Sequence, residues 1–180
     1  MPPKTNAHPD IAVIGGGAAG FFAALTAAEA NPSARVHIYE KGRRFLDKVR
    51  ISGGGRCNVT HACFDPAELA RHYPRGGREL RAAFHRWQPR DMIRWLDARR
   101  VPTKTEADGR MFPTTDDSRT IIDCLLNGAS AADIALHRTL GVETLAPADE
   151  GGVSLGLADG SAIRAGRVCV AAGTLKQSGL

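Results

Sequence analysis

The run Ile11-Ala12-Val13-Ile14-Gly15-Gly16-Gly17-Ala18-Ala19-Gly20 decides the reading of this chain. A short apolar, β-rich segment ends abruptly in glycines, and an alanine-rich segment of helix-forming composition follows to about Ala30. Asn31-Pro32-Ser33 stops that helix. Val36, Ile38 and Tyr39 then read as a second strand ending at Glu40, so residues 10 to 40 make a β-α-β unit. The fold class that follows is α/β and Rossmann-like.

Within the run, Gly15, Gly17 and Gly20 have the spacing G-x-G-x-x-G, and each has its own steric reason. Gly15 allows the tight turn out of the strand, Gly17 lets a pyrophosphate approach the backbone, and Gly20 lets the helix pack closely on the sheet. The free N–H groups and positive dipole end of a helix beginning near Ala18 then face the phosphates, with Gly16, Ala18 and Ala19 alongside. Glu40 lies twenty positions after Gly20, where a carboxylate accepts hydrogen bonds from adenosine ribose hydroxyls. The same carboxylate disfavours a ribose 2′-phosphate, and so disfavours NADP at this site.

Working outward, residues 41–66 carry glycines and basic residues but few periodic apolar positions, and read as a long ligand-side loop centred on Ser52-Gly53-Gly54-Gly55. From Glu79 to Arg100 the spacing predicts two helices broken at Pro89. Leu80, Phe84 and Trp87, then Met92, Ile93, Trp95 and Leu96, form an apolar stripe for the core. A further helix starts after Asp117-Ser118 and turns Ile121, Ile122, Leu125 and Leu126 inward. Short strands are expected over 142–145, 153–157 and 167–171, with Asp159-Gly160 as a hairpin turn. The sequence is expected to comprise a tail, 1–9, and a domain, 10–180, that is incomplete, because it stops just after a strand where an α/β domain would continue.

The 180 residues are 43% hydrophobic, enough for a real core, and 24 Lys plus Arg against 19 Asp plus Glu give a net charge of +5. That balance suits an anionic ligand without identifying one. Four cysteines without regular spacing, no signal-peptide h-region and no run long enough to span a bilayer place the protein in the cytoplasm with reduced thiols. The arginines between residues 71 and 100 are interleaved with Glu79, Asp91 and Asp97, which reads as a solvated face and argues against nucleic acid as a partner. Cys57, His61 and Cys63 lack a fourth partner for a zinc site, so no metal is assigned.

Four stretches carry a resemblance: Glu40 followed by Lys48, the string Ser52-Gly53-Gly54-Gly55-Arg56-Cys57-Asn58, Gly109-Arg110-Met111-Phe112-Pro113, and Val170-Ala171-Ala172-Gly173. Together they resemble the BaiN-like, aminoacetone-oxidase-like family of FAD-dependent oxidoreductases, over nearly the whole chain. The resemblance implies a glutathione-reductase type of FAD domain with a small β-meander, inserted domains in the full-length protein, FAD as cofactor, NAD(P)H as a candidate electron donor, and a small-molecule substrate. It implies cofactor contacts from Gly15 to Gly20, Glu40, Lys41, Lys48, Ser52 to Asn58, Val142, Ala172 and Gly173. No catalytic residue is assigned. Two departures stand out: His61 replaces the family's Asn, and Ala171-Ala172-Gly173-Thr174 replaces the A-T-G-G turn.

Several roles stay open at this point. Gly53-Gly54-Gly55 is an anion-binding nest or a flexible linker, and Arg56 and Lys48 supply charge to pyrophosphate or flavin or are surface cations. Cys57 is a packing thiol or a redox group, and Val142 offers its amide to adenine or is a core strand residue. Arg110 packs against the domain or holds an anion. Two rival functions remain, an NAD-dependent dehydrogenase using the same fingerprint and a flavin-associated RNA-binding or RNA-modifying module.

Overall fold

The computed structural model describes residues 8–149 and 151–173. Most of the expected N-terminal tail, and Thr174 of the last turn, lie outside these residues. In chain order the first elements are β1 (Ile11–Ile14), α1 (Ala18–Ala30), β2 (Val36–Glu40), α2 (Asp47–Ile51), a short 3-10 turn (Ser52–Gly55), β3 (Thr60–His61), α3 (Pro66–Arg71), α4 (Gly77–Phe84) and α5 (Pro89–Asp97). There follow β4 (Thr103–Thr105), β5 (Arg110–Pro113), α6 (Arg119–Ala131), β6 (Ala135–Arg138), β7 (Val142–Pro147), β8 (Val153–Leu157), β9 (Ala162–Ala165) and β10 (Arg167–Val170). The chain divides into two compact units, Met1–Lys48 with Leu125–Leu180, and Val49–Cys124.

The first unit is built on a four-stranded parallel sheet in the order β10-β1-β2-β6. Side chains alternate across it, as strand geometry requires. Val13 points at α1, since a Cβ on Gly20 would meet its Cγ1 at 3.4 Å. Ala12 and Ile14 point the other way, into a cluster with Tyr39, Leu155, Leu157 and Ala165. The antiparallel meander β7-β8-β9 supplies Leu155 and Leu157, so helix covers one face of the sheet and meander the other. The β8–β9 hairpin turns at Asp159-Gly160, where Gly160 sits at φ 85 and the Asp159 carboxylate accepts from Ser161 N and Oγ. The last turns of α6 lie on α1, with Gly128 so close that a Cβ there would be 3.1 Å from Leu25 Cδ2.

The strand β6 was not legible: Ala-Leu-His-Arg has no alternation, yet it pairs with β2 along its whole length, Tyr39 opposite His137. Those two rings stack at 4.6 Å and 8°, and His37 Nδ1 lies 3.2 Å from His137 Nε2 and 3.3 Å from Tyr39 Oη. Burial pushes His37 down to about 4, with the neighbouring His137 adding to the effect, and pushes Tyr39 up to about 12.

The second unit holds the antiparallel sheet β3-β5-β4, with Met111 and Phe112 of β5 buried, and the helices α3 to α5. Asp65 caps α3 by accepting from Ala67 N and Glu68 N, and Pro66 and Pro89 occupy the first turns of their helices. Two expectations need correction here. Residues 41–66 are not one loop: they contain α2, the 3-10 turn and β3. The apolar stripe of residues 80–96 is not a core stripe either. Only Leu96 is fully buried, α4 buries no residue, and Trp87 is 41% exposed, because two helices this short present little face to a three-stranded sheet.

The half-buried histidine pair gives a pH dependence whose sign is fixed. His37 titrates near 6.5 when unfolded and at about 4 when folded, so as pH falls the unfolded chain takes up the proton first. Stability present above the unfolded value is therefore lost between about 6.5 and 4, ahead of the Asp10 contribution. That carboxyl, held at about 2 by hydrogen bonds and charge from Arg35, loses its contribution below 3.8. Denaturant midpoints at pH 7 and pH 4.5 should differ clearly for the natural chain and much less for His37→Gln; equal pH slopes in both would contradict the coupling.

Candidate nucleotide site

Each glycine of the opening run meets a different obstacle. Gly15 has φ 110, and a Cβ there would lie 2.4 Å from the Ala171 carbonyl oxygen. Gly20 is tighter still, with a Cβ position 1.9 Å from the Gly15 carbonyl oxygen. Gly16 is closed by Phe45, whose Cδ1 would be 2.4 Å away. Gly17 is the opposite case, because at φ −88 nothing lies within 4 Å of its Cβ position. It is the N-cap of α1 with no side-chain cap, no acid in the first turn, and Ala18 and Ala19 exposed beside it. The first amides of α1 are thus unpartnered by side chains and open to an anion.

Glu40 is held more firmly than its sequence position suggests. One carboxylate oxygen accepts from Gly16 N at 2.7 Å and the other from Gly42 N at 2.6 Å. A carboxylate has about four lone-pair sites, so two amides orient it and leave capacity for two further donors. The backbone then brings residues 139–142 alongside: Thr139 N donates to Gly42 O and Leu140 N to Glu40 O, and Gly141 sits 3.0 Å from Lys41 Cβ measured from its own Cβ position. Val142 therefore starts β7 near Lys41, half-buried and paired with Leu157. Lys48 is exposed and its Nζ would lie 3.6 Å from a Cβ on Gly173, which is at φ 75 after Ala172 in the turn leaving β10.

Phe45 and Leu46 were not singled out by sequence reasoning. Phe45 meets Phe21 edge-on at 5.6 Å, and Leu46, at φ 61 and fully buried, donates its N–H to Gly16 O. The apolar pair in the otherwise polar run Arg43-Arg44-Phe45-Leu46-Asp47 was the available signal.

In the second unit the segment Ser52 to Asn58 is a tight coil. Gly53, Gly54, Gly55 and Cys57 all have positive φ, and Gly53 admits no side chain because Asn58 N and Phe112 Cε1 lie 2.8 Å from its Cβ position. Cys57 N bonds back to Ser52 O. Ser118, a buried polar residue that was not assigned a role, ties the coil down: its N–H donates to Gly55 O and its hydroxyl to Arg50 O. The Asn58 side-chain amide, oriented by its network, donates to the carbonyls of Met111 and Thr60. Of the open roles, burial pushes the Cys57 thiol up and away from the reactive thiolate, which fits packing.

Arg56 does not present a free cation. Its guanidinium bonds Glu106 at 2.5 Å, approaches Asp116 at 3.5 Å and stacks 4.0 Å over Phe112. Arg110 is likewise held by Asp108 and Glu106, which favours packing over anion capture. His61 packs under Gly109 and its Nε2 lies 3.1 Å from Asp108 O.

A strand, a glycine turn open at its third position, an uncapped helix and an oriented carboxylate at the end of the second strand define a Rossmann-type dinucleotide fold. The model of the HI0933-like protein Rossmann domain matches residues 9–179, and the chain belongs to that family. It is 28% identical over 171 residues to the ribosomal RNA dihydrouridine synthase of Escherichia coli K12, which covers 95% of this chain and 41% of that protein. It is also 28% identical over 163 residues to the 3-dehydro-bile acid delta(4,6)-reductase of Clostridium scindens, 91% of this chain and 38% of that protein. The chain therefore spans about two fifths of the length of these curated relatives. Among solved structures, a flavocytochrome c3 fumarate reductase matches with TM-score 0.67 at 20% identity over 93% of this chain and 34% of that one. The 3-ketosteroid-delta4-(5alpha)-dehydrogenase of Rhodococcus jostii RHA1 matches with TM-score 0.64 at 17% identity, over 93% and 47% respectively. The shared fold is the α/β FAD-binding type.

Two glycines should separate folding from binding. Gly20→Ala forces a methyl into a backbone carbonyl and should cost roughly 1–3 kcal/mol or more of stability. Gly17→Val meets open space, so its thermal midpoint should stay within a few degrees of the natural chain while FAD and ADP binding fall below detection. Retained nucleotide binding in Gly17→Val would show that the turn does not hold the pyrophosphate.

Proposed function

We propose that the chain is the FAD-binding portion of a flavin-dependent oxidoreductase that saturates a carbon–carbon double bond conjugated to a carbonyl. The observation that carries the cofactor assignment is the pairing of Gly17, open to its approach, with Glu40, whose two oxygens are already aimed by Gly16 N and Gly42 N. The double bond is suggested by the two curated relatives, one named for making dihydrouridine and the other for reducing a delta(4,6) system.

When bound, FAD supplies the redox chemistry, passing a hydride equivalent between an electron donor and the substrate. The chain's residues do the rest. The α1 amides of Ala18, Ala19 and Gly20 are positioned to take the pyrophosphate charge, Glu40 the ribose hydroxyls, and the amide of Val142 the adenine edge, with Lys41 beside it. Lys48, at the Ala172-Gly173 turn, adds positive charge to the same edge of the sheet. For Ser52 to Asn58 a cofactor role rests on the family resemblance and on the shape of the coil, with Gly54 open to space and Arg56 acting as a clamp on that coil. NAD(P)H is proposed as donor and the cytoplasm as location, the latter supported by four free cysteines. Both units are proposed to belong to one cofactor-binding domain. Among the described residues no helix is long and apolar enough to cross a membrane.

A second reading makes the double bond that of a pyrimidine in RNA. Besides the first relative's name, it is favoured by Arg75, Arg78 and Arg86, which are exposed and without an ion pair among the described residues although the sequence interleaves the arginines of residues 71–100 with acids.

Glu40→Gln keeps the side chain's shape but removes its charge, and a charged hydrogen bond is worth roughly 1.5–3 kcal/mol. Calorimetric titration should show FAD and ADP binding weakened about 10- to 100-fold, with FMN, which lacks the adenosine ribose, unaffected. Loss of FMN affinity to the same degree would mean that the carboxylate only props up the glycine turn.

A further inference from the structure

The arginines of the second unit are not neutralised in the way their sequence neighbours suggest. Arg71 pairs with Glu68, Arg94 approaches Asp91 and Arg81 lies in the field of the Asp65 carboxylate, but Arg75, Arg78 and Arg86 are exposed and, among the described residues, neither ion-paired nor hydrogen-bonded. This differs from Arg56, Lys104 and Arg110 of the same unit, each of which is held by a carboxylate. On α4, Arg78 and Arg81 are three residues apart, and His85 caps the same row one turn on, so the three side chains share one helix face.

That face borders a groove between α3 and α4 with a volume of about 530 Å³. Ala67, Ala70, Arg71, Tyr73, Arg78 and Arg81 line it, with Glu79 the one acid of the lining and Glu68 paired to Arg71 beside it. The groove is shallow because the helices meet backbone to backbone: a Cβ on Gly77 would stand 2.4 Å from the Ala70 carbonyl oxygen. Tyr73 is 44% exposed at its rim, leaning on Phe84 at 5.3 Å and so held as a platform. A second exposed aromatic, Phe64, lies 5.5 Å under the Arg90 guanidinium on the same helical module.

We propose that this groove is an RNA-docking surface, in which Arg78 and Arg81 hold successive phosphates of a single-stranded segment and Tyr73 stacks on one of its bases. Small residues in the lining let a backbone lie close, multiple cations supply sequence-independent affinity, and an exposed ring supplies stacking that tolerates any base. The choice of RNA over other polyanions rests on the second reading of the substrate given above. The surface assignment rests on the groove itself.

The test uses the 180-residue chain and a fluorescently labelled 12-nucleotide single-stranded RNA of mixed sequence, with binding followed by anisotropy at 50 to 200 mM KCl. The natural chain should bind with an affinity that falls steeply with salt. The double variant Arg78→Glu/Arg81→Glu should bind at least about tenfold more weakly, with the salt slope reduced by about 1.4, roughly 0.7 for each lost phosphate contact to a single strand. Arg78→Lys/Arg81→Lys should keep the slope, which separates charge from folding, and Tyr73→Ala should lose about five- to tenfold in affinity with the slope unchanged. Unchanged affinity and slope after charge reversal would overturn the surface, and DNA of the same sequence binding as tightly as the RNA would overturn the choice of RNA. If RNA binds through these arginines but the FAD-loaded protein, supplied with NAD(P)H as reductant, forms no dihydropyrimidine in it, the substrate reading fails while the docking surface stands.

Discussion

Two backbone contacts that admit no side chain set the geometry of the nucleotide side of the first unit. The turn after β1 lies against the Ala171 carbonyl at Gly15, and α1 lies against the Gly15 carbonyl at Gly20. Strand end, turn and helix are therefore stacked at the distance of bare backbone, and the first amides of α1 are fixed at the mouth of the sheet. Once Gly15 and Gly20 are in place, Gly16 N points into the Glu40 carboxylate and Gly16 O receives the Leu46 amide, so the segment after β2 folds back over the turn. Gly17 is left as the open position of the run because its neighbours are occupied.

Charge is organised in two different ways in the two units. In the first, Glu40 is oriented by amides and not by a cation, which keeps its charge available to a ligand, and α1 begins with no acid to compete for its positive end. In the second, Glu106, Asp108 and Asp116 hold Arg56, Arg110 and Lys104 against the small sheet, whereas Arg75, Arg78 and Arg86 around α4 face solvent without an ion pair among the described residues. The same residue type thus acts as a clamp in one place and as an exposed cation in another. The number of arginines in the sequence does not distinguish the two.

What the sequence disclosed is what short-range sterics controls. The β-α-β unit, its bounds, the steric demands on Gly15 and Gly20, the helix break at Pro89 and the Asp159-Gly160 hairpin follow from local patterns, and the structure has them. The rest depends on tertiary contacts. Arg56 reads as a candidate anion ligand until Glu106, fifty residues away, is seen bonded to it. Ser118 reads as a helix start, while its hydroxyl and amide in fact tie down the Arg50–Gly55 coil. Leu46, Cys57 and Thr139 sit at positive φ, which nothing in a Leu, Cys or Thr announces. Strand β6 exists because β2 needs a neighbour, and a four-residue run without alternation cannot show that.

The central claim is that the amides at the start of α1, with Glu40, form a nucleotide site in this chain. Amide NMR spectra of the isotopically labelled chain titrated with ADP test it most directly. The account predicts saturable shifts concentrated on Gly16, Gly17, Ala18, Ala19 and the Glu40–Gly42 segment, with Gly160 at the far hairpin unmoved. Saturable ADP binding that leaves the Gly16–Ala19 amides in place and moves resonances elsewhere would contradict it.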